Sequence, residues 1–103
     1  MVNTKRIKIL IEKREGLHQD DPRIEECWKM LTKELGMEEE ATIDFISKCD
    51  EHDIYWLSEI FEDVSAVLQS QAFIQVLKGI QTKYPNLDLQ EDIMYAEMVL
   101  NNK

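Results

Sequence analysis

The residues of this chain best suited to bind a metal lie in one short stretch, at positions 49–53. Cys49, His52 and Asp53, with Asp50 beside them, offer thiolate, imidazole and carboxylate groups, the ligands of zinc sites. A closed zinc site needs four ligands, and a Cys-x-x-His pair without a second pair is a weak signal. We therefore predict a polar turn between helices here, with no metal and no cofactor.

Three carboxylates, Glu59, Glu62 and Asp63, follow a few residues later. Paired carboxylates can act as general acid and base, and in helical bundles they can hold two metal ions. Glu59-x-x-Glu62 lacks the histidine of the di-metal motif, and nothing in the sequence indicates a pocket that would shift the pKa values of these groups. The pattern favours a solvated or partner-facing surface.

Nucleophilic catalysis is not indicated either. Cys27 and Cys49 fall in predicted helices and His18 and His52 in loops, so no base is placed beside a thiol, and no glycine-rich phosphate loop is present. No signal-peptide pattern is found, so we expect a cytoplasmic protein with free thiols, a Cys27–Cys49 disulfide being the minor alternative. We expect no enzymatic activity.

The charge is strongly negative and unevenly distributed. The net charge is -9; residues 1–16 carry five basic against two acidic side chains, whereas residues 34–63 carry eleven acidic side chains against Lys48. Such a field repels nucleic acid and anionic membranes and attracts a basic protein. Two plainer interpretations are that it maintains solubility, and that the basic N-terminal helix lies against the acidic centre.

The elements that must position these groups are helices. Gly and Pro are few, and 103 residues suit one domain, residues 1–103. We predict an all-α fold of five to six short antiparallel helices, at residues 4–15, 22–35, 38–49, 53–68, 71–84 and 88–100. Residues 4–15 also alternate as a strand would, but no second strand is available to pair with them. The expected N-caps are Thr4, Asp21, Asp50 or Asp53, Ser70, and Asp88 in a capping box with Glu91.

The fourth predicted helix, residues 53–68, has the widest apolar arc and is expected at the centre of the bundle. One row of side chains is buried, and three more extend the arc: Ile54, Leu57, Phe61, Val64 and Leu68, then Trp56, Ile60 and Val67. The third and fifth helices begin 33 residues apart, so HEAT-like helical hairpins and a compact bundle both fit. Trp28 is predicted in the core, and Trp56 either in the core or at an interface.

The other side of this helix is a candidate partner-binding surface. It carries Tyr55, Glu59, Glu62 and Asp63, with Trp56 on its border and an acidic rim at Glu38, Glu39, Glu40 and Asp44. Exposed aromatics beside charged groups are typical interface anchors. Charge reversal of Glu59 and Glu62 together is expected to slow association with a basic partner and to leave folding intact.

The segment WLSEIFEDVSAVLQSQAFIQVLKGIQTKYP resembles the middle of short, acidic, all-helical bacterial immunity proteins, which neutralise toxins of contact-dependent or polymorphic toxin systems. The resemblance covers residues 53–100 and rests on Trp56-Leu57-x-Glu59, Phe61-Glu62-Asp63, Ser70-x-x-Phe73 and Tyr84-Pro85. It implies a cytoplasmic protein that binds a cognate toxin tightly and has no enzymatic activity. The alternative is a regulatory or structural homodimer that pairs Trp56 and the wide apolar arc with a second copy.

Overall fold

A computed structural model describes residues 2–101, and within that range the chain is helical without a β-strand. The seven helices are α1 (Thr4–Glu15), α2 (Arg23–Leu35), α3 (Glu39–Ser47), α4 (Glu51–Leu57), α5 (Phe61–Leu68), α6 (Gln71–Lys83) and α7 (Gln90–Met98). Short 3-10 turns at Ser58–Ile60 and Pro85–Leu87 precede α5 and α7. The predicted all-α class is confirmed, and six helices are obtained when α4 and α5 are counted as one interrupted helix.

Two of the predicted caps are confirmed. The Asp50 side chain accepts a hydrogen bond from the backbone N–H of Asp53 at 2.9 Å and so begins α4. The hydroxyl of Ser70 accepts from the backbone N–H of Phe73 at 3.0 Å and begins α6. Each cap satisfies one of the backbone donors that a helix N-terminus leaves without a partner.

Two other predicted caps are wrong. The cap of α1 is Asn3, whose side chain accepts from the backbone N–H of Arg6 at 3.0 Å, so Thr4 is already the first helical residue. Asp88 adopts a left-handed conformation with φ 54° at the end of the second 3-10 turn, and α7 begins without a side-chain cap. A capping residue needs an extended backbone, which Asp88 does not have here.

The predicted continuous helix at residues 53–68 is also wrong, because the chain tightens into a 3-10 turn at Ser58–Ile60. Ile60 leaves helical geometry, with φ -119° and ψ 11°, before α5 begins at Phe61. A 3-10 helix turns by about 120° per residue against about 100° in an α-helix, so the turn changes the facing of α5 relative to α4. Both Ile60 and Phe61 lie in the core, each 1% exposed.

The helices pack as a compact bundle rather than as an array of sequential hairpins. α5 packs most extensively against α7, α3 packs against α6, and α1 lies against both α2 and α4. The bundle measures 37 × 29 × 24 Å. The core contains apolar side chains from every helix, including Ile7, Leu31, Ile46, Leu57, Phe61, Phe73, Leu77 and Ile93. Of the two arrangements left open above, the described helices form the bundle.

Within residues 2–101, no helix combines the length and the apolar character that crossing a bilayer requires.

Two glycines provide a matched pair of stability predictions. Gly79 lies on the exposed face of α6 with open space around its missing Cβ, so Gly79→Ala should raise the free energy of unfolding by about 0.5–1 kcal/mol. At Gly36 a Cβ would lie 2.9 Å from the carbonyl oxygen of Thr32 and 2.9 Å from Cγ1 of Val67. Gly36→Ala should therefore lower the same free energy, by about 1 kcal/mol. Urea denaturation of both variants checks the opposite signs, and equal signs would contradict the packing at Gly36.

Candidate partner-binding surface

An ion pair between α1 and the 3-10 turn lies at the centre of the predicted acidic face. The guanidinium of Arg14 donates from Nε and Nη2 to the two carboxylate oxygens of Glu59, each at 2.8 Å. The indole Nε1 of Trp28 donates to Oε1 of the same carboxylate at 2.9 Å. The guanidinium also lies 4.8 Å from the ring centroid of Trp56. Glu59 is thus bound by three donors of its own chain.

This arrangement corrects the expectation for Glu59. The side chain of Arg14 is buried, at 9% exposed, and that of Glu59 is partly accessible, at 28% exposed. The Glu59 carboxylate is neutralised within the molecule and does not form an open acidic site. Charge reversal of Glu59 would place two cations side by side at a partly buried position, so on this geometry we expect it to lower stability as well as to slow association.

Arg14 was not among the predicted site residues, although its position in the sequence indicates that it is buried. Ile7, Leu10 and Ile11 form the buried stripe of α1, and Arg14 falls on the same stripe one turn further on. A charged residue on a buried stripe needs a buried partner. The prediction that the basic first helix lies against the acidic centre is confirmed by this ion pair and by the 2.8 Å contact of Lys8 with Asp53.

Glu62 and Asp63, in the first turn of α5, behave differently from Glu59. Both are exposed, and neither has an ion-pair partner among residues 2–101. Tyr55, on α4 before the 3-10 turn, is 53% exposed and contacts the ring of Trp56 edge-on at 5.0 Å. Open carboxylates and an exposed aromatic are therefore present, but on two helices separated by the turn rather than on one continuous face.

Three of the four carboxylates of the predicted rim, Glu39, Glu40 and Asp44, lie in different surroundings. Glu39 accepts a hydrogen bond from the hydroxyl of Ser70 and so links α3 to the start of α6. Asp44 forms an exposed ion pair with Lys48 one turn later, at 3.2 Å. Glu40 is exposed and has no ion pair in the described part of the chain. Of the rim, Glu40 is the carboxylate left open to a partner.

The negative surface continues onto α7, beyond the predicted partner-binding residues. Burial raises the pKa of Asp92, and Glu91, Asp88 and Glu59 raise it further by repulsion. The first turn of α7 therefore lies close enough to Glu59 for the two to repel each other electrostatically. Like charges accumulated in this way strengthen the attraction of a cation that approaches from outside.

The two tryptophans occupy intermediate positions. Trp56 is half-buried, packs against the core and is covered by Arg14, so it belongs to both the core and the network around Glu59. Trp28 was predicted in the core, but it is also only partly buried. Its indole N–H must reach the Glu59 carboxylate near the surface, which keeps the ring at the edge of the core.

The metal-competent residues at 50–53 come together, and they are engaged by other groups. Ligand atoms of Asp50, His52 and Asp53 lie within 4.8 Å of one another. Asp53 accepts hydrogen bonds from Lys8 Nζ at 2.8 Å and pairs with His52 Nδ1 at 3.0 Å, while the other imidazole nitrogen lies 2.9 Å from Glu15. A metal ion would have to displace the lysine and reorient the histidine, so these residues form a structural network.

The cysteine thiols do not contribute to this network. Cys27 and Cys49 are both buried and free, in agreement with the expectation of unpaired thiols. Burial, reinforced by the nearby carboxylate of Asp53, raises the pKa of Cys49 to about 12. The thiolate that metal binding or nucleophilic attack requires is strongly disfavoured at such a site.

The network around His52 predicts a pH-dependent contribution to stability. Hydrogen bonding to Asp53 and then to Glu15 raises the pKa of His52. Burial opposes the charged form of Asp53, but hydrogen bonds from Lys8 and His52 outweigh it and lower the pKa of Asp53. Protonated His52 then contributes its full stabilisation below the unfolded-state pKa of about 6.5. This stabilisation is lost as the pH rises through the higher pKa of the folded state.

We therefore expect His52→Gln to destabilise the protein at pH 6 and to have little effect at pH 9. The side chain is half exposed, so the difference at pH 6 should stay below about 1 kcal/mol. Asp53 remains ionised across this range because its pKa is lowered, so its own contribution to stability is lost only at acidic pH. Urea denaturation at the two pH values measures the effect, with His18→Gln as the control. An equal loss at both values would show that the charge of His52 is not involved.

Comparison of the chain with protein-family models, with curated proteins and with solved structures finds no match.

Proposed function

We propose that this chain is a stoichiometric protein-binding inhibitor of the immunity-protein kind, which neutralises a basic bacterial toxin in the cytoplasm. The toxin docks on the exposed carboxylates of Glu62 and Asp63 on α5, with Glu40 on α3 and the Tyr55 ring on α4 as further contacts. Glu59 binds Arg14 of its own chain instead of contacting the partner. No nucleic acid and no membrane takes part.

The observation that carries the proposal is the contrast between Glu59 and its two neighbours on α5. The protein satisfies Glu59 with three donors, and it leaves Glu62 and Asp63 exposed without a cation within ion-pair distance among residues 2–101. In a chain of net charge -9, adjacent open carboxylates create a local field that accelerates encounter with a positively charged protein. Such a surface can cover the basic active site of a nuclease by imitating a phosphate backbone.

Binding rather than catalysis is favoured by the state of the reactive groups. The His52 imidazole is held between two carboxylates, with Lys8 on the second oxygen of Asp53. The Cys49 thiol, with its pKa of about 12, is a poor nucleophile at neutral pH. An inhibitor requires none of these groups to react.

The homodimer alternative has less support. It would pair Trp56 and the apolar arc of α4 and α5 with a second copy. Ile60 is instead buried in the core of its own chain, and Trp56 lies beneath Arg14. Val67 is the member of that arc that remains exposed.

Co-expression with the reading frame directly upstream of the gene tests the proposal. We expect that frame to encode a protein that stops bacterial growth, and co-expression of this chain should restore growth. The two proteins should elute together at one-to-one stoichiometry in size-exclusion chromatography. A double reversal, Glu62→Lys with Asp63→Lys, should abolish rescue while the circular dichroism spectrum stays helical, because both side chains are exposed.

A matched variant controls for total charge. Glu12→Lys with Glu26→Lys makes the same change in net charge at two exposed positions on α1 and α2, and it should still rescue growth. The proposal fails if the upstream frame is harmless. It also fails if that frame is toxic but forms no complex with this chain.

A further inference from the structure

An open groove lies between α2 and α5. Its volume is about 670 Å³. The floor is one row of residues at four-residue steps, Trp28, Thr32 and Gly36, and Ala66 lines the groove from α5. Thr32 and Ala66 are small and leave a gap between the two helices, whereas Val67 lies close to Gly36 at the end of the groove.

Exposed apolar side chains line the end of this groove. Met37, just after α2, is 64% exposed, and Val67 on α5 is 57% exposed. These two join the half-buried ring of Trp28 in one apolar strip. A continuous apolar strip in a concave position marks an interaction site more strongly than scattered exposed residues do, and methionine adapts readily to a partner surface.

The two walls of the groove carry opposite charges. Lys29 and Lys33 lie one turn apart on the α2 wall, and Asp63 lies on the α5 wall, with Glu62 beside it in sequence. None of these four side chains has an ion pair within residues 2–101, although acidic residues outnumber basic ones in the chain by 21 to 12. Glu25 precedes the two lysines on the same wall. An apolar floor between a basic wall and an acidic wall is complementary to an amphipathic segment with the reverse arrangement.

We propose that this groove binds one amphipathic α-helix of a partner protein, with an apolar stripe flanked by acidic residues on one side and basic residues on the other. The acidic flank pairs with Lys29 and Lys33, and the basic flank pairs with Asp63. The α2 wall runs from Glu25 to Met37, about 18 Å at 1.5 Å per residue, which accommodates about three helical turns. A helix of three turns presents anchor side chains at positions i, i+4 and i+7, the usual spacing in helices that bind in grooves.

A second copy of this chain fits the groove less well. Its exposed apolar helix is α7, where Met94 and Met98 lie one turn apart. The charged residues of α7 are Glu91, Asp92 and Glu97, so α7 offers nothing basic to the Asp63 wall. The groove shares Asp63 with the proposed toxin-docking surface, but the inference goes beyond the proposed inhibitor function, because it adds the apolar floor and the α2 wall and applies to any partner that carries such a helix.

Two designed peptides of 18 residues test the inference by fluorescence anisotropy. Both have leucine at the stripe positions and equal numbers of glutamate and lysine. One has glutamate on one flank and lysine on the other, whereas the control has the two charges interleaved on both flanks. A peptide helix can bind in the groove in either direction. A peptide with the acidic and basic flanks exchanged could therefore still bind, and it would not serve as a control. We expect the segregated peptide to bind at least about tenfold more tightly.

Protein variants locate the binding. Ala66 is exposed, so Ala66→Trp should fill the groove without disturbing the core and should abolish binding of the segregated peptide. Lys29→Glu with Lys33→Glu should weaken binding at least about tenfold. Lys5→Glu with Lys13→Glu, an equal charge change at exposed positions on α1, should leave binding within about twofold.

Three results would overturn the inference. The first is equal affinity of the two peptides, and the second is binding that survives Ala66→Trp in a protein with a native circular dichroism spectrum. The third is self-association in sedimentation that Ala66→Trp abolishes, which would assign the groove to a second copy. No toxin enters these measurements, so failure of the growth-rescue experiment would leave their outcome unaffected.

Discussion

Arg14→Ala is expected to lower the free energy of unfolding by about 2–3 kcal/mol. Removing one partner of a fully buried ion pair costs about 3–5 kcal/mol and losing an exposed pair at most about 1 kcal/mol. Arg14 is 9% exposed and Glu59 28%, which places this pair between the two limits. The variant also loses the contact with the Trp56 ring. Urea denaturation followed by circular dichroism measures the change without relying on tryptophan emission near the mutated site.

A double-mutant cycle with Glu59→Gln separates the ion pair from the packing of the arginine stem. The two substitutions should be strongly non-additive, because Arg14 and Glu59 share two hydrogen bonds. Lys13→Ala, one residue earlier and exposed, should change stability by less than about 0.5 kcal/mol. A loss at Arg14 no larger than that at Lys13 would show that the pair does not stabilise the fold.

Phe61→Ala is expected to have the largest effect, a loss of about 3–5 kcal/mol. The Phe61 ring is 1% exposed and begins α5 immediately after the 3-10 turn, where it packs in the central cluster. A small domain has about 5–15 kcal/mol of stability in total, so the variant should be close to unfolding at room temperature. Thermal denaturation followed by circular dichroism at 222 nm measures the shift in Tm.

Met98→Ala is the matched control for Phe61→Ala, because its side chain is 69% exposed at the end of α7. It should change the free energy of unfolding by less than about 0.5 kcal/mol. Near-equal losses at Phe61 and Met98 would contradict the position of the core. A small loss at Phe61 alone would show that the ring is not enclosed by its neighbours.

The helices were predictable because local signals specify them. The Ser70 and Asp50 side chains cap α6 and α4 as their positions in the sequence indicate, and Gly36 follows the end of α2. These features depend on hydrogen bonds within a few residues, so a single sequence contains the required information. The packing partners do not follow in the same way, because α3 against α6 and α5 against α7 depend on the shapes of distant surfaces.

The 3-10 turn at Ser58–Ile60 illustrates a limit of periodicity. Ile54, Leu57, Phe61 and Val64 recur at three- and four-residue steps, which a continuous helix satisfies completely. The chain nevertheless tightens at Ser58–Ile60, and Ile60 and Phe61 are both buried where the turn meets α5. Tertiary packing determines the local geometry here, and the sequence pattern does not reveal it.

The site could be predicted only in part. The distribution of charge predicted a basic first helix against an acidic centre, but the pairing of Arg14 with Glu59, 45 residues away, depends on the fold. Glu62 and Asp63 were expected to be exposed, and they are. The α2–α5 groove was not predicted, although Thr32 and Gly36 in one four-step row with Trp28 are small enough to suggest a channel.

The central claim is that Glu62 and Asp63, rather than Glu59, receive the basic partner. Stopped-flow measurement of the association rate constant with the proposed toxin, expressed from the reading frame upstream, at low and at physiological ionic strength, tests it most directly. At low ionic strength the Glu62→Lys/Asp63→Lys variant should associate at least about tenfold more slowly than the unmodified chain, with the difference shrinking as salt is added. Glu12→Lys/Glu26→Lys should slow association by less than about threefold. Equal slowing by both variants, or no slowing by the α5 variant, would contradict the claim.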